Sequence, residues 1–179
     1  LLAALCWASP AWAADSAVFA SGAGTEADPY LIANASQLAA FRDAVNAGDD
    51  YDGKYVALGA DIDLESAERT PIGVGTRKSS GIAEGSTPFA GTFDGAGHVI
   101  SGLKIASTQG ADFAIGLFGI LDGATVKNLT VADAEVTVPQ SELAGILCGM
   151  MANDATASGV SVSGSVAGKA GVGGIAGRM

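Results

Sequence analysis

A six-residue phrase recurs along the second half of the chain: Ile100-Ser-Gly-Leu-Lys-Ile105, Val126-Lys-Asn-Leu-Thr-Val131 and Ala157-Ser-Gly-Val-Ser-Val162. A second phrase, Gly116-Leu-Phe-Gly119, alternates with it and returns as Ile146-Leu-Cys-Gly149 and Gly174-Ile-Ala-Gly177. Repeats this short cannot bury their apolar positions singly, so they must stack. Leu103, Leu129 and Val160 are 26 and 31 residues apart, while Leu117, Leu147 and Ile175 are 30 and 28 apart. Unequal steps between constant phrases fit strands held in register and joined by loops of differing length. The expected architecture is a coiled parallel sheet, an all-β solenoid.

Within the first phrase, positions one, four and six are apolar, and positions four to six alternate as a half-buried strand does. Leu103, Leu129 and Val160 are expected to form one inward column. The third position reads Gly102, Asn128, Gly159. These residue types tolerate positive φ, so each marks a corner.

Composition narrows the function classes. The 26 Gly and 6% aromatic content fit a fold full of tight corners. Nineteen acidic residues against nine basic leave a net charge of −10, with no Lys/Arg cluster to neutralise phosphates or meet an anionic bilayer. Nucleic acid and membrane contact by this segment are therefore not expected. Cys6 lies in a segment expected to be removed, which leaves Cys148 as a small inward hydrophobe.

Residues 1–13 (LLAALCWASPAWA) look like the tail of a secretory signal, with Ala11-Trp12-Ala13 as the cleavage site. Residues 14–33 are a loose lead-in followed by a first strand, Tyr30-Leu-Ile32. Residues 34–48 are a capping helix: Asn34 at the N-cap, Gln37 completing a capping box, Leu38, Phe41 and Val45 on one face, and Gly48 ending it. Residues 49–179 are the stacked repeats, with residues 74–88 a long polar excursion. Met179 falls within a copy of the glycine phrase, so further rungs or domains are expected beyond it.

A longer run of residues resembles a known family. Gly24-Thr-Glu-Ala-Asp-Pro-Tyr-Leu-Ile32, the helix, Asp61-Ile-Asp-Leu64, Pro71-Ile-Gly73 and Phe89-Ala-Gly-Thr-Phe-Asp-Gly-Ala-Gly-His-Val-Ile-Ser-Gly-Leu103 follow in the order found in bacterial cell-surface proteins with the GLUG motif. Gly116-Leu-Phe-Gly119 is similar to the motif itself. The resemblance implies a right-handed parallel β-helix on an exported, adhesin-like protein. Similar modules precede immunoglobulin A-cleaving zinc metallopeptidases. No catalytic residue carries over, because His-Glu-x-x-His is absent and the chain has one His.

His98 follows the turn at Asp94–Gly97 and is expected to hydrogen-bond locally. Asp61 and Asp63 share an outward face opposite Ile62 and Leu64; they could serve a glycosidase or hold Ca²⁺, though a solvated face is the commoner outcome. Arg69, Arg77 and Lys78 are the cations available to such a site. Gly171-Val-Gly-Gly174 and Gly95-Ala-Gly97 read as turns, since no helix follows either to hold phosphate. The outward series Lys104, Thr130, Ser161 is too irregular for ice binding. No catalytic, cofactor-binding or metal residue is assigned, and no cofactor is implied. The expected function is a secreted, cell-surface scaffold whose loops meet an unidentified glycan, matrix or host protein. The alternatives are a carbohydrate-active β-helix, or the non-catalytic leading module of a surface metallopeptidase.

Overall fold

The computed structural model describes residues 18–79 and 81–179. The expected leader at residues 1–13, with Cys6, lies outside them. Asn34 Oδ1 accepts from Gln37 N at 2.9 Å, and Gln37 Oε1 accepts from Ala33 N at 2.8 Å. This reciprocal pair satisfies amides that helix geometry leaves over. The helix runs Ala35–Asn46 and buries Leu38, Phe41 and Val45. It stops at Gly48, whose φ of +112° favours a residue without Cβ.

The rest of the described chain is strand and corner. Sheet I stacks Tyr30–Ile32, Tyr55–Leu58, Thr92–Asp94, Thr125–Lys127 and Thr156–Ser158 in that order. Sheet II stacks Ile62–Asp63, Val99–Ser101, Thr130–Val138 and Ser161–Gly168, with Lys104–Ala106 also on Thr130–Val138. Sheet III holds Ala114–Ile115, Leu143–Gly145 and Gly171–Gly173; sheet IV holds Phe118–Asp122, Cys148–Ala152 and Ala176–Arg178. Every pairing in these four sheets is parallel. Parallel neighbours cannot be joined by a hairpin, so each pass visits the sheets in turn before returning beside itself. Like side chains then fall into columns, such as Val56, Phe93, Val126 and Ala157.

The register corrects one expectation. The second and third copies of the six-residue phrase do align, Val126 on Ala157 and Val131 on Val162. The first copy does not: Ile100 pairs with Val131 and Ile105 with Val136. Leu103 therefore stands one corner ahead of Leu129 and Val160 and outside their column, although Leu103 and Leu129 are both buried. The physical reason is that each pass turns at both ends of the short sheet II run, Val99–Ser101 and its counterpart Thr130–Ala132. Asn128 and Gly159 share one corner with Gly97 (φ 52°, 60° and 82°), while Gly102 and Asp133 belong to the next (φ 67° and 53°). Two corners with similar chemistry make the phrase match in either position.

The glycine phrase aligns throughout: Phe118 on Cys148 on Ala176, with Ile72 ahead of them as an unforeseen further member. Its glycines are needed for a different reason. Gly119, Gly149 and Gly177 are not in the left-handed region. A Cβ on Gly149 would strike the backbone of Ala114 and Ile115, and one on Gly177 that of Leu143 and Ala144. Sheets III and IV approach backbone to backbone there, and only glycine permits it. Gly171–Gly173, expected to be a turn, is a strand of sheet III.

At the first end the core is aromatic. Phe41 meets Tyr51, Phe89 and Phe93 with ring centroids 5.0, 5.6 and 6.1 Å apart, and Phe118 continues the contact at 5.5 Å from Phe89. Phe19 stacks on Tyr30 at 4.4 Å and is buried. The described part of the lead-in is thus packed rather than loose: Ala20 N donates to Leu31 O, and Leu31 N to Ser21 O, covering the outer edge of sheet I.

Candidate functional surface

Asp61 and Asp63 are exposed while Ile62 and Leu64 are buried, as the alternation required. Their carboxylates are engaged in building corners. Asp61 Oδ1 accepts from Val99 N at 3.0 Å and lies 2.9 Å from His98 Nδ1. The Val99 amide, and then His98, hold the Asp61 carboxyl below its ordinary pKa. Asp63 Oδ1 accepts from Glu65 N at 2.8 Å, where Glu65 and Ser66 turn with φ of 56° and 51°. His98 was expected to bond locally; its partner is instead on the previous pass, 37 residues away. Of the cations considered for this site, Arg69 donates weakly to Leu64 O at 3.5 Å, and Arg77 is committed to Asp112 and Glu142. Among the described residues no three His, Cys, Asp or Glu side chains group as metal ligands would.

The polar excursion has a local purpose that its composition concealed. The chain leaves sheet IV after Gly73 and returns at Phe89, whose amide donates to Ile120 O. Between them Arg77–Lys78 pairs antiparallel with Gly81–Ile82. Gly75 O accepts from Ala114 N and Arg77 N donates to Asp112 O, so the excursion lies along the first edge of sheet III. From here a row of charges crosses the passes. Arg77 is 3.1 Å from Asp112 and 3.7 Å from Glu142, and Lys169 Nζ is 2.9 Å from Glu142. The loops carrying Asp112, Glu142 and Lys169 each connect sheet II to sheet III, and Thr108, Gln109 and Gln140 in these loops are exposed. The charges of this row pair with one another from pass to pass.

Two further surfaces emerged only from the register. Thr92, Thr125 and Thr156 form an outward row on sheet I, with the Thr156 hydroxyl 3.2 Å from that of Thr125. This row lies outside the six-residue phrase, so the repeat does not mark it. Beside the helix a shallow depression of about 260 Å³ is lined by Tyr30, Asp49, Asp50, Tyr51, Asp52 and Lys54. Cys148 is buried and free, and burial pushes its thiol up to about 12, so it is packing rather than chemistry.

No protein-family model matches the chain. Over 138 residues, 76% of its length, it is 36% identical to a protein of Evansella cellulosilytica named "Putative Gly-rich membrane protein", and the match takes in 15% of that protein. Over 160 residues, 88% of its length, it is 33% identical to halomucin of Haloquadratum walsbyi, 2% of that protein. The chain thus spans a small part of each relative. Among solved structures, a "putative immunoglobulin A1 protease" from Bacteroides ovatus superposes with a TM-score of 0.53 at 21% identity, over 90% of this chain and 65% of that one. That likeness is one of fold. Among the described residues no helix is long and apolar enough to cross a membrane.

Proposed function

We propose that the chain is part of a cell-surface protein, a right-handed parallel β-helix that acts as an adhesive scaffold and presents its loop side to an extracellular glycan, matrix or host protein. The observation that carries this reading is the in-register ladder. Four sheets climb together through successive passes, and their loops collect with Arg77, Asp112, Glu142 and Lys169 on one side. Insertions on one side of a repeating scaffold are where such proteins place binding surfaces. The right hand follows from the strong preference of parallel crossovers for that sense. A surface location is supported by relatives whose names refer to a membrane and to a mucin. The GLUG resemblance adds the adhesin-like role.

The enzyme alternative needs Asp61 and Asp63 free and facing the excursion across a groove. Asp61 is instead tied to Val99 and His98, and Arg77 of the excursion to Asp112 and Glu142. The scaffold reading is tested by glycan and matrix-protein arrays probed with the chain and with a Gln109→Ala/Gln140→Ala variant. Binding weakened by the double substitution supports it. Turnover of a glycan, abolished by Asp63→Ala, would favour the enzyme, and silence on every array would leave a spacer.

A further inference from the structure

Leu38, Leu64, Ile72, Leu103 and Leu117 wall a narrow cleft between the helix and the first passes of the stack. Arg42, Arg69 and Thr70 border the same cleft, which has room of about 20 Å³. A space of that size holds one water-sized species and nothing larger. Among the described residues one buried side-chain polar atom has no hydrogen-bond partner, and it is Arg69 Nε. The only bond of this guanidinium that the structure gives is the weak one from Nη2 to Leu64 O, at 3.5 Å. A buried N–H left unpaired is costly, and more so on a charged group.

The lining decides what can meet that donor. The wall carbonyls are already engaged: Leu64 O accepts from Ala67 N, Leu103 O from Glu135 N, Leu117 O from Ile72 N and Ile72 O from Gly119 N. The side chains contribute two guanidinium groups, which only donate, and one hydroxyl. A water on Arg69 Nε would need acceptors for its own two protons, whereas an anion needs donors alone. No acidic side chain lines the cleft. Asp43, an exposed residue outside the lining, takes Arg42 Nε and Nη2 at 2.8 and 2.6 Å. A polyatomic oxyanion exceeds the space, and a single halide fits it.

We propose that the cleft is a halide site in which one chloride ion accepts from Arg69 Nε and lies in the field of Arg42. Arg42 belongs to the helix, and Arg69 to the pass beside it, where its amide donates to Lys104 O. Without the anion, two like charges border one apolar cleft; with it, they are joined. Chloride thereby fastens the helix to the stack. Added salt strengthens this contact while it screens the exposed ion pairs. The site stands whether or not the loops bind a glycan.

Crystals soaked in sodium bromide give the direct test, through the anomalous scattering of bromide. A peak within hydrogen-bond reach of Arg69 Nε is expected. Water or nothing at that place overturns the proposal, as does bromide on exposed Lys and Arg alone, an adventitious ion only. In solution, thermal unfolding is compared in sodium chloride and in sodium gluconate at equal ionic strength, gluconate being too large for the cleft. General salt effects are removed by making the same comparison in Arg69→Met. At a tenfold excess of chloride over its dissociation constant, the chloride-specific rise in midpoint should be about 3–6 °C larger in the unaltered protein. If Arg69→Met does not fold, Arg69→Lys, which keeps the charge without the Nε, should shrink the rise. The same chloride response in the protein and in the variant overturns the proposal.

Discussion

The two ends of the stack are built from different amino acids. All six Phe and all three Tyr lie at or before Phe118, and from Gly119 onward the chain has no aromatic residue. At the first end Phe41 is fully buried among rings, Ser21 bridges to Leu31 at the edge of sheet I, and Asn46 bonds Pro71 and Gly73 beside sheet IV. At the other, Ala157, Val160 and Val162 occupy columns that Phe93, Leu129 and Val131 fill further in. Large rings close an end by filling it, because one ring covers an area that several small side chains cannot. Small residues instead fill a pass by stacking on the like residues of the pass beside it. The change from rings to small residues along the stack is therefore a change in how each pass fills its interior.

The largest expected effect breaks the closed end. Phe41→Asp places a carboxylate among Phe19, Tyr51, Phe89 and Phe93. It should cost upwards of about 4 kcal/mol in urea unfolding. Val172→Asp, the same chemistry at a residue 41% exposed, should change stability by about 0.5 kcal/mol or less. Equal effects of the two would erase the contrast.

A smaller contrast uses the glycine phrase. Gly149→Ala drives a methyl into the Ala114 and Ile115 backbone, with a neighbouring pass on either side to resist any shift. Overpacking of this kind should cost about 3 kcal/mol. Gly177→Ala meets Leu143 and Ala144 in the same way, but its pass can move outward, so about 1 kcal/mol is expected. Thermal melting of the two variants ranks them. A costlier Gly177 would mean the last pass is held more tightly than its exposure implies.

How much of this was legible in the sequence depends on which force set each feature. Corners were legible because positive φ restricts residue type locally: Gly102, Asn128 and Gly159 all adopt it. The helix was legible because its cap is a contact within a few residues, Asn34 to Gln37. The offset of Ile100 was not, since two corners per pass use the same chemistry and pattern matching cannot choose between them. The glycines of the second phrase are legible as a repeat but not by their role, because close approach between sheets III and IV is invisible until the passes are assembled. The candidate surface fared similarly. Asp61 and Asp63 were placed on the correct face, but their partners lie across a pass or around a corner. The row through Arg77, Asp112, Glu142 and Lys169 is dispersed over most of the chain, and nothing local marks it.

Asn46 is a further case of a cap found only in three dimensions. Its side-chain Nδ2 donates to Pro71 O at 3.0 Å, and its Oδ1 accepts from Gly73 N at 2.8 Å. One amide thus replaces the missing strand beside Ile72 at the first edge of sheet IV. Asn46→Ala should cost about 1–2 kcal/mol by leaving both backbone groups unpaired. Amide exchange at Gly73 should accelerate in step. An unchanged Gly73 rate would show that water serves the edge equally well.

The smallest effect is electrostatic and tests whether the closed end is tuned as well as filled. The Asp61 carboxyl is held below its ordinary 3.8, first by the Val99 amide and then by His98. A carboxylate with a depressed folded-state pKa stabilises the fold above its unfolded value, and that contribution disappears as pH falls through the folded one. Loosening of the Asp61–Val99 link is therefore expected only below pH about 3.8, and Asp61→Asn should leave stability near neutral pH almost unaltered, because the group is exposed and screened. Carboxyl titration followed by NMR gives the decisive number: a midpoint at or above 3.8 would mean that the Val99 amide does not hold the charge. The corner at Asp61 would then be geometry without electrostatic support.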